Sequence, residues 1–237
     1  MLAEPPSSEP HLPPARGSRH PKARRPRLAP GSRRRSSPDS LGELRPLYVA
    51  ATEPGEVVVP TMHFLMLDGH GDPMSGGEFR AAVEALYPVA WALKSAQKQH
   101  GLAYRLLPLE ALWWTEPNGR FDPTRSRETW CWTAMLAVPR AVSWDDVGAA
   151  REAVERRRSV PGVDRIHLGS ISEGAAAQVL HHGPYATEGP AVAWLNRYVA
   201  RKGWHPVGKH HELYLSDARR TAPDEIRTVL RQPMRPA

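Results

Sequence analysis

Two short stretches place acidic and aromatic side chains at strand spacing. In the first, Tyr104 to Trp114, a period of two puts Leu107, Leu109, Ala111 and Trp113 on one face and Tyr104, Leu106, Glu110, Leu112 and Trp114 on the other. In the second, His210 to Asp217, Leu213 and Leu215 point one way and His210, Glu212, Tyr214 and Ser216 the other. Four of the eight tryptophans, Trp113, Trp114, Trp130 and Trp132, fall within twenty residues, with Trp130 and Trp132 sharing a face. A carboxylate beside aromatic rings suits a planar cation, through charge and cation–π attraction, or the orientation of a water molecule. A buried carboxylate needs a partner, so a structural ion pair fits the acids equally well, and ordinary core packing fits the tryptophans. Tyr185, after Gly183-Pro184, reads either as a packing residue at a helix entry or as a pocket wall.

Other chemistries find less support. The pairs His181-His182 and His210-His211 are adjacent strand residues facing opposite sides, so neither pair chelates and no metal is expected. Gly69-His70-Gly71 lacks the third glycine and the βαβ setting of a dinucleotide site, so no cofactor is expected. The single cysteine, Cys131, cannot form an internal disulfide and reads as a packed strand residue.

The formal net charge of +7 is unevenly spread. Residues 1–45 hold ten Lys or Arg and four acids, and the remainder holds 22 basic and 21 acidic residues, so the folded part has no basic excess. Pro, Ser and Arg dominate residues 1–43, which are read as a disordered basic tail, with residues 44–237 as one domain. Nucleic acid is a partner only through phosphate contacts of that tail. Neither an eighteen-residue apolar run nor a signal sequence is present, so no membrane partner is expected and the location is read as cytoplasmic.

The elements that must position the acids and rings follow from periodicity. Val57 to Asp68 is β-rich and ends at a Gly-Pro turn. Ser75 and Glu78 form a capping box for a helix running to Gly101, which Pro88 should bend. Strands over Tyr104 to Trp114 and Thr129 to Val138 flank a polar loop. Ser143 and Asp146 cap a second helix whose last turn is Arg156-Arg157-Arg158. Ile166 to Ser172 and Ala175 to His182 read as a hairpin, followed by a helix over Thr187 to Lys202 and strands over Glu212 to Ser216 and Thr228 to Met234. The expected fold is α+β, two strand-helix-strand-strand units in tandem forming antiparallel sheet, with helices on one face and a groove between the halves on the other.

Four separated motifs carry a resemblance. Phe64 to Pro73, Pro108 to Trp114, His182-Gly183-Pro184-Tyr185 and Gly208 to Thr221 resemble the gyrase-inhibitor-like (GyrI-like) small-molecule-binding proteins, over about residues 44 to 234. The resemblance implies a duplicated fold related to the effector-binding half of multidrug-sensing activators, with Glu212 on the pocket floor, Tyr214 beside it, and Trp113 and Trp114 as walls. It is nearest to the cyclopropanoid cyclopropyl hydrolases, which open the strained ring of DNA-alkylating antibiotics. Leu213 and Ala218 replace Ile and Pro of that pattern, and Pro88 and the long tail are foreign to it. If the chain is an enzyme, the resemblance implies a flat drug stacked between Trp114 and Trp132, with a water held by Glu212 and a hydrogen bond from Tyr214 or His210 to the developing oxyanion. Three functions follow: a module that binds flat, apolar or cationic xenobiotics, a hydrolase acting on them, and an adaptor whose tail contacts nucleic acid. Among them the binding module ranks first.

Overall fold

The computed structural model describes residues 41–237 apart from Gly76 and Asn118, so the expected tail lies outside the described residues except for its last three positions. Stretches rich in β-branched and aromatic residues form nine strands: β1 (Gly55–Val59), β2 (Met62–His70), β3 (Leu109–Thr115), β4 (Trp130–Val138), β5 (His167–Ile171), β6 (Gly174–His182), β7 (Trp204–Pro206), β8 (His210–Tyr214) and β9 (Arg227–Pro236). Three amphipathic helices accompany them: α1 (Glu78–Gln99), α2 (Trp144–Glu155) and α3 (Gly189–Arg201). The strands join antiparallel in the order β1-β6-β9-β8-β3-β4-β2-β5, with β7 on β9. The fold is α+β and duplicated. Outward from the central β3–β8 seam, the unit β2-α1-β3-β4 and the unit β6-α3-β8-β9 each place their second, third and first strands in turn.

Register assigns each side chain to a face. Ala111 stands opposite Glu212, Trp113 opposite His210 and Trp132, and Glu212 opposite Leu230. These residues share the face that α1 covers through Leu65, Leu67, Leu86, Leu93, Ala134 and Leu136, and that α3 covers through Val179, Leu195, Val199 and Leu230. The helices therefore flank the seam on the face that carries Glu212. The register puts Glu212 on the helix-bearing face and not on the helix-free face where the groove was expected.

The opposite face is closed by the segment Leu41 to Val49, whose Leu41, Leu47 and Tyr48 join Phe64, Met66, Met135, Leu213 and Val229 in a second core. Here the acidic strand residue expected at a ligand becomes structural. Glu110 accepts a hydrogen bond from the Tyr48 hydroxyl at 2.5 Å and lies 2.9 Å from Nε2 of His211. The other His211 nitrogen is 3.0 Å from Glu173, and Arg231 pairs with Glu173, donates to Gln178 and donates to the Leu47 carbonyl. A single buried ion pair gains little over apolar packing, but removing one partner leaves a buried charge, so the network fixes how the N-terminal segment seats on the sheet.

Several expectations shift for identifiable reasons. Residues 166–182 form two strands, but not a hairpin: β5 pairs with β2 at one edge and β6 with β9 and β1 at the other. Glu173, between them, is drawn into the buried network. The capping box at α1 is absent, because the Ser75 hydroxyl donates to Asp72 and Gly77, at φ 68°, precedes the helix. The helix continues through Pro88. At α2 the Ser143–Asp146 box forms as expected, and the arginine run follows the helix instead of filling its last turn. Strand β3 begins at Leu109, leaving Tyr104 in the preceding loop, β8 runs from His210 to Tyr214, and the three-residue β7 was not expected.

One glycine is fixed by packing. Gly69 is directly opposite Trp132, and a Cβ there would stand 2.2 Å from the indole ring, so the bare backbone lets a wholly buried tryptophan lie across the neighbouring strand. Gly69→Ala is expected to lower stability by about 1–3 kcal/mol through overpacking, measured by denaturant unfolding. An unchanged midpoint would show that the ring can move freely. A second expectation concerns pH. Burial alone would push the His211 imidazole down, but Glu173 and Glu110 outweigh it and raise it to about 9. His211 holds its proton more tightly folded than unfolded, so its stabilisation is complete below about pH 6.5. It is lost as pH rises through about 9. The denaturation midpoint should fall between neutral pH and pH values above that, and a flat profile would mean that His211 is uncharged in the fold.

Candidate functional site

The β3–β8 seam on the helix-bearing face gathers most of the residues singled out by their chemistry. Glu212, its side chain nearly buried, accepts a hydrogen bond from the Tyr214 hydroxyl at 2.8 Å. Tyr214 in turn accepts one from Nε1 of Trp113 at 3.2 Å, across the Ala111–Glu212 pair. His210 is buried, with Nε2 3.6 Å from Glu212, close enough for electrostatic contact and too far for a hydrogen bond. Burial first, and then the charge of Glu212, holds the Tyr214 phenol well above its ordinary range, so it remains a donor at neutral pH.

Rings surround this acid. Phe79, from the first turn of α1, packs 5.2 Å from Trp113, edge-on to Trp132 at 5.1 Å and 6.4 Å from Tyr214. Trp130 lies 5.9 Å from Trp113 and 4.8 Å from Phe121, and Phe121 stacks on His210 at 5.2 Å. Tyr185 closes the other side, edge-on to Tyr214 at 5.5 Å. Trp113 and Trp132 are buried, whereas Phe79, Phe121, Trp130, Tyr185 and Tyr214 keep partial exposure and can present ring faces or edges to a ligand.

A second carboxylate completes the constellation. Glu188 directly precedes α3 without capping it, and one of its carboxyl oxygens is buried with no hydrogen-bond partner among the described residues. Burial, reinforced by the charge of Glu212, pushes Glu188 up to about 10. A buried acid that keeps its proton thus stands beside a second carboxyl group at the aromatic cluster. Such a pair can give a proton to one atom and take a proton from another.

The structure brings together Glu212, Tyr214, Trp113, Trp130, Trp132, Tyr185 and His210. It sets apart two residues expected with them. Glu110 faces the opposite core, against Tyr48 and His211. Trp114 is on that same opposite face, under Nζ of Lys209 at 3.2 Å from its ring centroid, so a ligand sandwiched between Trp114 and Trp132 would have to pass through the sheet. The one-residue alternation that placed Trp113 correctly thus excludes its neighbour. Phe79, Phe121 and Glu188 were not anticipated: Phe79 has the spacing of an ordinary core residue, Phe121 lies in a polar loop, and Glu188 falls inside the helix that periodicity predicts. A carboxylate between Tyr185 and the Gly189-Pro190 helix start was the available signal for the last. Among the described residues no cluster of three or more His, Cys, Asp or Glu is arranged to hold a metal, and no helix is long and apolar enough to cross a membrane.

Comparison with known proteins agrees with this architecture. Two solved structures from Listeria innocua are similar along most of the chain. One, an uncharacterized conserved protein, is 33% identical, with 82% of this chain and 98% of that one covered and a TM-score of 0.74. The other, described as a hydrolase, is 30% identical with the same coverage and a TM-score of 0.71. A further Listeria innocua hydrolase is 32% identical, again covering 82% and 98%, with a TM-score of 0.72. No curated protein sequence gives a significant match. The family model for the GyrI-like small molecule binding domain matches residues 52–235, and the chain belongs to that family.

Proposed function

We propose that this protein binds flat, largely apolar small molecules, neutral or cationic, against the rings of the seam and hydrolyses strained cyclopropane-containing alkylating drugs there. The observation that carries the reading is the pair Glu188 and Glu212, two buried carboxyl groups beside one aromatic cluster, with Glu188 held in its protonated form by burial and by the charge of Glu212. The hydrolase descriptions of relatives at 30% and 32% identity support it.

The chemistry balances with these groups alone. Glu212 takes a proton from a water molecule as its oxygen bonds to the cyclopropane carbon. The strained C–C bond breaks, its electron pair moves onto a conjugated carbonyl oxygen of the drug, and Glu188 supplies the proton that oxygen needs. Tyr214 orients Glu212 through its hydrogen bond, and Trp130, Phe79 and Tyr185 hold the planar body. Ring strain already supplies driving force, so a general base worth about 10²–10⁴-fold together with positioning is sufficient. No covalent enzyme intermediate is required.

Three outcomes test the reading. Glu212→Gln keeps side-chain shape but cannot accept the proton, so turnover of a neutral cyclopropane drug, followed by mass spectrometry, should fall about 10²–10⁴-fold while its binding persists. Trp130→Ala should weaken binding by roughly 10-fold through lost ring contact, whereas Trp114→Ala on the other face should leave affinity unchanged. The reverse pattern would move the ligand across the sheet. Because Glu188 must carry a proton, turnover should decline as pH rises towards about 10, and Glu188→Gln should flatten that alkaline limb at a lower rate. Saturable binding with no turnover at any pH would leave a sequestering module instead of an enzyme.

A further inference from the structure

On the opposite side of the sheet a cavity of about 450 Å3 lies between the N-terminal segment and the loop joining α1 to β3. Leu41, Arg45, Ala103, Tyr104, Arg105 and Leu107 form its walls. Leu41 and Leu107 are buried, and Tyr104 packs on the same core as Tyr48 and Leu213, so this space is separated from Glu212 by the thickness of the sheet.

Each of its polar side chains can donate a hydrogen bond. The Tyr104 hydroxyl is buried with no hydrogen-bond partner among the described residues. An unpaired buried hydroxyl is costly and uncommon in a folded protein, and it calls for an acceptor. Burial raises the phenol to about 12, which keeps its proton in place. The guanidinium groups of Arg45 and Arg105 have no ion pair or side-chain hydrogen bond among the described residues, and no acidic side chain lines the cavity. Two arginines and a tyrosine with an orphan hydroxyl thus line one cavity beside an apolar floor. Arginine forks match planar oxyanions, and the apolar walls and the volume exceed what an inorganic anion fills.

We infer that this cavity is a second binding site, independent of the seam, for a small organic anion with an apolar body and a carboxylate or phosphate head. The head accepts from Tyr104 and from one or both arginines, and the body lies on Leu41, Ala103 and Leu107.

The test uses 2-naphthoate, its neutral isostere 2-naphthamide and inorganic phosphate, titrated calorimetrically into the full chain. In the Trp130→Ala variant, which weakens the seam, naphthoate should bind saturably at one site and more tightly than naphthamide. Arg45→Gln combined with Arg105→Gln, both at exposed positions, should weaken naphthoate by about 10-fold or more, the scale of a lost charge-assisted hydrogen bond. Trp130→Ala should not change it. Tyr104→Phe gives the discriminating readout: the ligand-free thermal midpoint stays level or rises, because an unpaired buried hydroxyl is removed, while the affinity for naphthoate falls. With the seam weakened by Trp130→Ala, equal binding of naphthamide, full affinity in the double arginine variant, or no saturable binding would overturn the proposal. Phosphate binding as tightly as naphthoate would overturn the organic part of it.

Discussion

The antiparallel pairing of β3 with β8 is the constraint on which the rest depends. It joins two similar halves into one sheet, and its register puts Ala111 against Glu212 and Glu110 against Leu213. Because side chains alternate, that single choice sends Glu212, Trp113, His210 and Tyr214 to the helix-bearing face and Glu110, Trp114 and His211 to the other. A slip of one residue would turn β8 over relative to β3, parting Glu212 and Tyr214 from Trp113 and His211 from Glu110. The registers of β4 against β3 and of β9 against β8 reinforce the same assignment by lining up Trp132 with Trp113 and Arg231 with His211.

The two faces handle buried charge differently. Behind the seam, His211 and Arg231 stand among Glu110 and Glu173, with hydrogen bonds from Tyr48 and to Gln178, so each charge meets its opposite within hydrogen-bond reach. Such a network is rigid and leaves little for a ligand to gain. In front of the seam the acids Glu188 and Glu212 have no arginine or lysine beside them among the ion pairs of the described residues: Glu212 meets the Tyr214 phenol and the His210 imidazole, and Glu188 the Thr228 hydroxyl. Burial there is resolved by proton retention at Glu188 instead of by pairing. An enclosure that keeps one acid protonated and offers ring faces is the kind of place where catalysis gains from preorganised groups, and where a passing cation gains from uncompensated charge.

Much of this was legible in the sequence because period two is a strong signal in short strands. The alternation in Leu109 to Trp114 correctly separates Glu110 from Trp113, and that in His210 to Tyr214 correctly puts Glu212 with Tyr214 and His210. What alternation cannot give is which face of one strand matches which face of another, since that depends on pairing between residues a hundred positions apart. Grouping Glu110 and Trp114 with Glu212 was an error of that kind. The separation of β5 from β6 was hidden for the same reason: two adjacent strand-like runs with a Ser-Glu-Gly link read as a hairpin, and only the long-range partners β2 and β9 decide otherwise. Glu188 was missed because a helix periodicity extended by two residues absorbs it, and its position at the very start of α3 is visible only once the helix boundary is known.

The pairing at the seam also bears on why the second acid comes from a helix start and not from the facing strand. Ala111 stands directly opposite Glu212, with Trp113 two residues on along β3 and Tyr214 two residues on along β8. A carboxylate at position 111 would stand directly across from Glu212, where like charges on paired residues repel and where burial denies them water. Alanine there removes the repulsion. Its small side chain also leaves the space over which Trp113 and Tyr214 reach one another to form the hydrogen bond that holds the phenol beside Glu212. Placing the partner acid at Glu188 instead brings it in from the side of one half only, so the two carboxylates meet unlike surroundings and one of them keeps its proton. An acid on β8 facing alanine on β3 is therefore what leaves the seam to take its second carboxyl group from a helix start.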